Sequence, residues 1–112
     1  MREIKIGDKS FKIHYGQNAI CALEDELDAS IATIYERISA NTIRMKDIRA
    51  LIWAGLLREQ RDLTPEVLGD LCDDAGVKLT DIFGDCVEEL NASFQRMIKD
   101  DKANDENSEK KH

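Results

Sequence analysis

Apolar residues follow two different periods along this chain. Near the start, Ile4 and Ile6 alternate with polar positions, and so do Phe11, Ile13 and Tyr15. Gly7-Asp8-Lys9-Ser10 lies between them and supplies turn chemistry, so residues 2–15 are predicted to form a β-hairpin. A lone hairpin is marginal in water, and its Ile, Phe and Tyr face must pack on the rest of the chain.

From Asn18 onward the period becomes helical. Asn18 is placed to cap a helix carrying Ile20, Leu23 and Leu27, and Ser30 a second with Ile31, Ile34, Tyr35 and Ile38. That second helix stops in Ser39-Ala40-Asn41. A third, over residues 45–60, shows Ile48, Leu51, Ile52, Gly55 and Leu56 at i, i+3, i+4 spacing. Thr64-Pro65 is an N-cap with proline at the first helical position. Val67, Leu68, Leu71, Cys72 and Ala75 form the next apolar face, and Gly76 is the stop. Thr80 opens the last helix, with Phe83, Val87, Leu90, Phe94, Met97 and Ile98 as its stripe. The expected fold is mainly α, an α+β chain with an N-terminal hairpin and a bundle of about five helices.

With 112 residues, one modest core is expected, in a single domain over residues 1–98. Residues 99–112 hold nothing to bury and are expected to be a disordered charged tail. No apolar run approaches the roughly 18 residues of a membrane span. The start shows no secretory signal, so a cytoplasmic location without membrane contact is expected.

The net charge of −7 is unevenly spread. Residues 42–61 carry five basic side chains against two acidic, whereas residues 62–98 carry nine acids against Lys78 and Arg96. An acidic surface repels phosphate backbones and suits a protein partner.

Chemistry for catalysis is missing from the pattern. His14 is the one internal histidine and falls on the polar face of the hairpin, so no catalytic residues are assigned. The glycines are scattered singly and form no phosphate-binding fingerprint, and no cofactor is expected. Cys21, Cys72 and Cys86 lack metal-ligand spacing and each fits an apolar helical face, as reduced, inert thiols. The acids from Asp70 to Asp81 fail the EF-hand pattern, with Cys72 at its third position and Gly76 one place late. No metal site is assigned. The stretch from Leu63 to Leu71 has the look of the first helix of a helix-turn-helix. The helix after it, however, exposes Asp81, Asp85, Glu88 and Glu89 where phosphate contact needs Lys and Arg. No nucleic-acid partner is expected.

Two features exceed what a lone domain needs. Trp53 and Leu57 are i, i+4 on the third helix but about 100° from Ile52 and Leu56. Either that helix is buried on two sides or the pair is an exposed anchor of the type enriched at interface hot spots. The second feature is the row Asp81, Asp85, Glu88 and Glu89, whose like charges repel by a few tenths of a kcal/mol per pair. Basic residues of the third helix, or a basic partner, would offset that repulsion. These six side chains are the candidate partner-binding residues.

The order of elements carries a resemblance. A short hairpin leads to Ala22-Leu23-Glu24-Asp25-Glu26-Leu27. After a second small helix comes Ile43-Arg44-Met45-Lys46-Asp47-Ile48-Arg49-Ala50-Leu51-Ile52-Trp53-Ala54-Gly55-Leu56. Leu63-Thr64-Pro65-Glu66-Val67, the Gly76 break and a helix containing Ala92-Ser93-Phe94 come next. Over residues 2–98 this resembles the small tail assembly chaperones of long-tailed phages and gene transfer agents. The resemblance implies a non-enzymatic protein of the host cell cytoplasm that coats the tape measure protein and helps recruit tail tube subunits. It implies absence from the finished particle and no cofactor. A coating chaperone must also associate with itself along its client, so weak homo-oligomers are expected. Two alternatives stay open: a small DNA-binding or regulatory helix-turn-helix-like module, and a structural tail component.

Overall fold

The first turn of the chain depends on Gly7. The computed structural model describes the backbone of residues 2–110 and the side chains of residues 2–97. In it, β1 (Arg2–Ile6) and β2 (Lys9–Ile13) pair antiparallel with Ile6 opposite Lys9. The turn is therefore only Gly7-Asp8, and Lys9 and Ser10 already belong to β2. Gly7 has φ +65°, which primed hairpin turns require and a side chain disfavours. Ile4, Ile6 and Ile13 are buried on one face, with Phe11 half-buried beside them.

The hairpin leads into five helices: α1 (Gln17–Leu27), α2 (Ile31–Ser39), α3 (Met45–Leu56), α4 (Pro65–Ala75) and α5 (Leu79–Lys110). The mainly helical fold with an N-terminal hairpin is as expected. Ser30 Oγ accepts from the Thr33 amide at 3.1 Å and Thr64 Oγ1 from the Val67 amide at 3.1 Å. Each such cap contributes about 1 kcal/mol. Gly76, with φ +70°, ends α4. Asn18 caps nothing: α1 begins one residue earlier, behind Gly16, which makes no side-chain cap. Only His14, Tyr15 and Gly16 link β2 to α1, and Tyr15 is buried. α3 stops at Leu56, short of residue 60, where the Leu57 and Glu59 amides bond only three residues back, to the Ala54 and Leu56 carbonyls at 3.4 and 3.2 Å. That tight turn sends the chain toward α4.

α3 is the axis of the fold and packs against α1, α4, α5 and β2. Eight of its twelve residues are buried, so it is enclosed on more than one side. Tyr15 crosses it closely, and its hydroxyl donates to the Leu51 carbonyl at 2.7 Å.

Two apolar stripes sit differently from the sequence expectation. On α4 the core takes Leu68 and Cys72, while Val67 and Leu71 are 46% and 36% exposed. α4 lies against α3 and β1, which cover only a narrow line of it, and these two lie beside that line. On α5 the buried line runs through Ile82, Cys86 and Leu90, with Phe83, Val87 and Phe94 half-buried at its flank. α5 lies against both α3 and β1, which centres its buried line there. Phe94 instead packs at a tilt of 58° on Tyr35 of α2, ring centroids 5.6 Å apart. Ile98 and the expected tail at residues 99–112 lie outside the residues whose side chains are described.

Candidate functional site

Trp53 and Leu57 share a helical face in sequence, but the structure gives them different surroundings. Trp53 is half-buried against the core, and its indole Nε1 donates to the Leu63 carbonyl at 2.8 Å. It pins the loop between α3 and α4. Leu57, also half-buried, lies just past the end of α3 and lines a cleft of about 820 Å³. Arg58, Arg61, Met97, His14 and the first residues of α1 form the rest of its wall. His14 is not on an open polar face. Its side chain is only 11% exposed, with Nε2 3.1 Å from Glu59 Oε1. Its amide also donates to the Gly55 carbonyl at 2.8 Å, which fixes the hairpin to the end of α3.

The acidic row divides as well. Asp81, Asp85 and Glu88 are exposed on α5. Arg2 of β1 donates to Asp85 at 3.1 Å and also to Glu88. The Glu88 contact, and then Asp85, raises the Arg2 guanidinium above its ordinary value. The repulsion along the row is thus offset from the hairpin, not from α3, whose Arg49 lies 4.0 Å from Glu66 on α4. Glu89 leaves the row: it is 8% exposed, accepts from Ser93 Oγ at 3.4 Å, and lies 3.5 Å from Arg96. One residue turns a helix by about 100°, enough to carry Glu89 to the buried side while Glu88 stays outside.

Asp47 is a polar centre that the sequence pattern did not single out. Fully buried in the first turn of α3, it accepts from the Arg44 amide at 2.9 Å, from Arg44 Nη2 at 3.0 Å and from Arg37 Nη1 at 3.2 Å. Burial alone would raise its carboxyl, but the Arg44 hydrogen bonds and the two guanidinium charges hold it below the ordinary value. The signal was an acid three residues inside a helix start, with arginine at the cap. The Asp47 cluster ties α2 to α3.

The cysteines also split. Cys72 and Cys86 are buried, and burial pushes the Cys86 thiol up to about 12. A thiol held so high is a weak nucleophile at neutral pH. Cys21, expected on an apolar face, is exposed on α1. Among the described residues no group of three or more His, Cys, Asp or Glu side chains is placed to hold a metal ion. No helix among them is long and apolar enough to cross a membrane.

The surface so described offers contact chemistry: an exposed apolar pair on α4, an acidic row on α5 and a cationic cleft beside Leu57. No curated protein and no solved structure matches the chain. A family model described as phage tail tube protein, GTA-gp10, matches residues 2–93. That match covers the hairpin, α1 to α4 and the buried part of α5, and by it the chain belongs to this family of phage tail assembly chaperones.

Proposed function

We propose that the chain is a non-enzymatic chaperone that binds the tape measure protein and aids tail tube assembly in the host cell cytoplasm. The family match over residues 2–93 carries this proposal. Members of the family are typically non-enzymatic, and tail proteins are the partners that membership implies. The geometry adds support. Val67 and Leu71 stand one turn apart on α4, exposed and apolar, as a helical client requires for side-by-side burial. Leu57 offers a second apolar contact, and the exposed Asp81, Asp85 and Glu88 on α5 a polar one. Trp53 and Glu89 shape these surfaces from inside, and neighbouring copies touch weakly along the client.

Co-expression with the tape measure protein tests the proposal. The client should stay soluble and co-purify with the chain, and Val67→Asp/Leu71→Asp should lose the complex while keeping the wild-type Tm. A client equally soluble without the chain would overturn it. The family's description as a tail tube protein favours one alternative, a component retained in the finished tail.

A further inference from the structure

The arginines of this acidic chain are mostly engaged. Of the seven, Arg2 holds Asp85 and Glu88, Arg37 and Arg44 hold Asp47, Arg49 lies near Glu66, and Arg96 lies near Glu89. The remaining two, Arg58 and Arg61, form no ion pair among the described residues, and both line the same cleft. No carboxylate among the described residues lines that cleft. Glu59, adjacent in sequence, is 3.1 Å from His14 of the cleft wall but does not itself line the cleft. Leu57 and Met97 supply apolar wall beside the two guanidinium groups.

Cations with no ion pair among the described residues, next to apolar side chains in a chain of net charge −7, specify an occupant by charge complementarity. We infer that this cleft seats a carboxylate-bearing apolar segment of a protein client, with its carboxylates at Arg58 and Arg61 and an apolar side chain on Leu57 and Met97. The inference rests on the proposed chaperone role and names the chemistry of the client segment. A second copy of the chain is a poorer fit, because Asp85 and Glu88 of its exposed acidic row already hold Arg2. Nucleic acid is disfavoured by the repulsion between its phosphates and the remaining surface. Arginine suits the task, since its planar fork matches a carboxylate in two hydrogen bonds.

The experiment is fluorescence anisotropy with three labelled helical peptides: one of Glu and Leu, one with Lys replacing Glu, and one with Ser replacing Leu. The charge reversal Arg58→Glu/Arg61→Glu is compared with Lys9→Glu/Lys12→Glu, an equal change on exposed hairpin positions. The Glu/Leu peptide should bind best. The arginine reversal should weaken it about tenfold, and the lysine reversal less than about twofold. Equal weakening by both reversals overturns the inference, as does equal binding of the Lys/Leu peptide. Displacement of the probe by a single-stranded oligonucleotide would also overturn it. So would an arginine reversal that dissolves an oligomer of the chain and leaves peptide binding unchanged. If co-expressed tape measure protein is held equally well by the arginine reversal, the cleft is wrong and the chaperone role stands. If the peptide pattern holds but the client is not kept soluble, the chaperone role is wrong and the cleft chemistry stands.

Discussion

Gly55→Ala should unfold this protein more easily, although alanine is the better helix former. A Cβ on Gly55 would lie 2.6 Å from Tyr15 Cζ, 2.7 Å from its hydroxyl oxygen and 3.0 Å from Cε2. Real side-chain atoms do not approach so closely, and the obstacle is a rigid ring that is itself buried. Relieving the clash means moving α3 or displacing the phenol, and overpacking of this kind costs about 1–3 kcal/mol. Displacement also breaks the hydroxyl's 2.7 Å bond to the Leu51 carbonyl, stranding a buried donor at a further cost of about 1–3 kcal/mol. The gain from removing a mid-helix glycine is about 1 kcal/mol. The net expectation is a loss of about 3 kcal/mol, a fall in Tm of about 12–24 °C for a domain of this size. Gly84→Ala on α5 is the control, since its Cβ would meet nothing within 4 Å and should stabilise by up to about 1 kcal/mol. Urea and thermal unfolding followed by circular dichroism measure both. A Gly55→Ala variant at or above wild-type stability would refute the packing argument, and so would a Gly84→Ala variant that falls alongside it.

Asp47→Asn should cost about 1–3 kcal/mol in urea unfolding, since buried hydrogen bonds to charged partners are lost. Asp47 titrates below its ordinary 3.8 in the folded chain, so its contribution is present above that pH and fades as pH falls further; the gap between wild type and variant should narrow below about pH 4. Trp53→Ala should lose about 2–4 kcal/mol, within reach of the loss from Leu51→Ala, because the indole packs on the core and holds Leu63; a wild-type Tm would return Trp53 to the role of a free anchor. A thiol reagent should label Cys21 rapidly and Cys72 and Cys86 only on unfolding, and fast labelling of more than one thiol per chain would show the core to be open.

The elements were largely legible because their signals are local. Thr64-Pro65, Gly76, Ser30 and the alternating hairpin each fix a boundary within a few residues, and the structure places them there. What stayed hidden depends on contacts between distant parts of the chain. In sequence Gly55 is one more small residue on an apolar stripe; its role comes from Tyr15, just after the hairpin, which crosses it. The true centre of α5, through Ile82 and Cys86, depends on where β1 and α3 lie, which helical period alone does not state. Val67 and Leu71 belong to a stripe broader than α4 can bury, and sequence could not say which edge stays outside. The candidate site was legible as a set of residues and not as a place. Asp81, Asp85 and Glu88 do line up outside, but Glu89 turns in, and Leu57 opens onto a cleft whose arginines differ from the other five by contacts that sequence does not state.

The chaperone role is tested most directly by counting copies of this chain in two fractions of one infected or induced culture. Quantitative mass spectrometry is applied to tape measure protein captured during assembly and to purified finished particles. A chaperone gives several copies of the chain per captured tape measure protein and none in the particle. A fixed number of copies in the finished particle would contradict the account and make the chain a structural part of the tail.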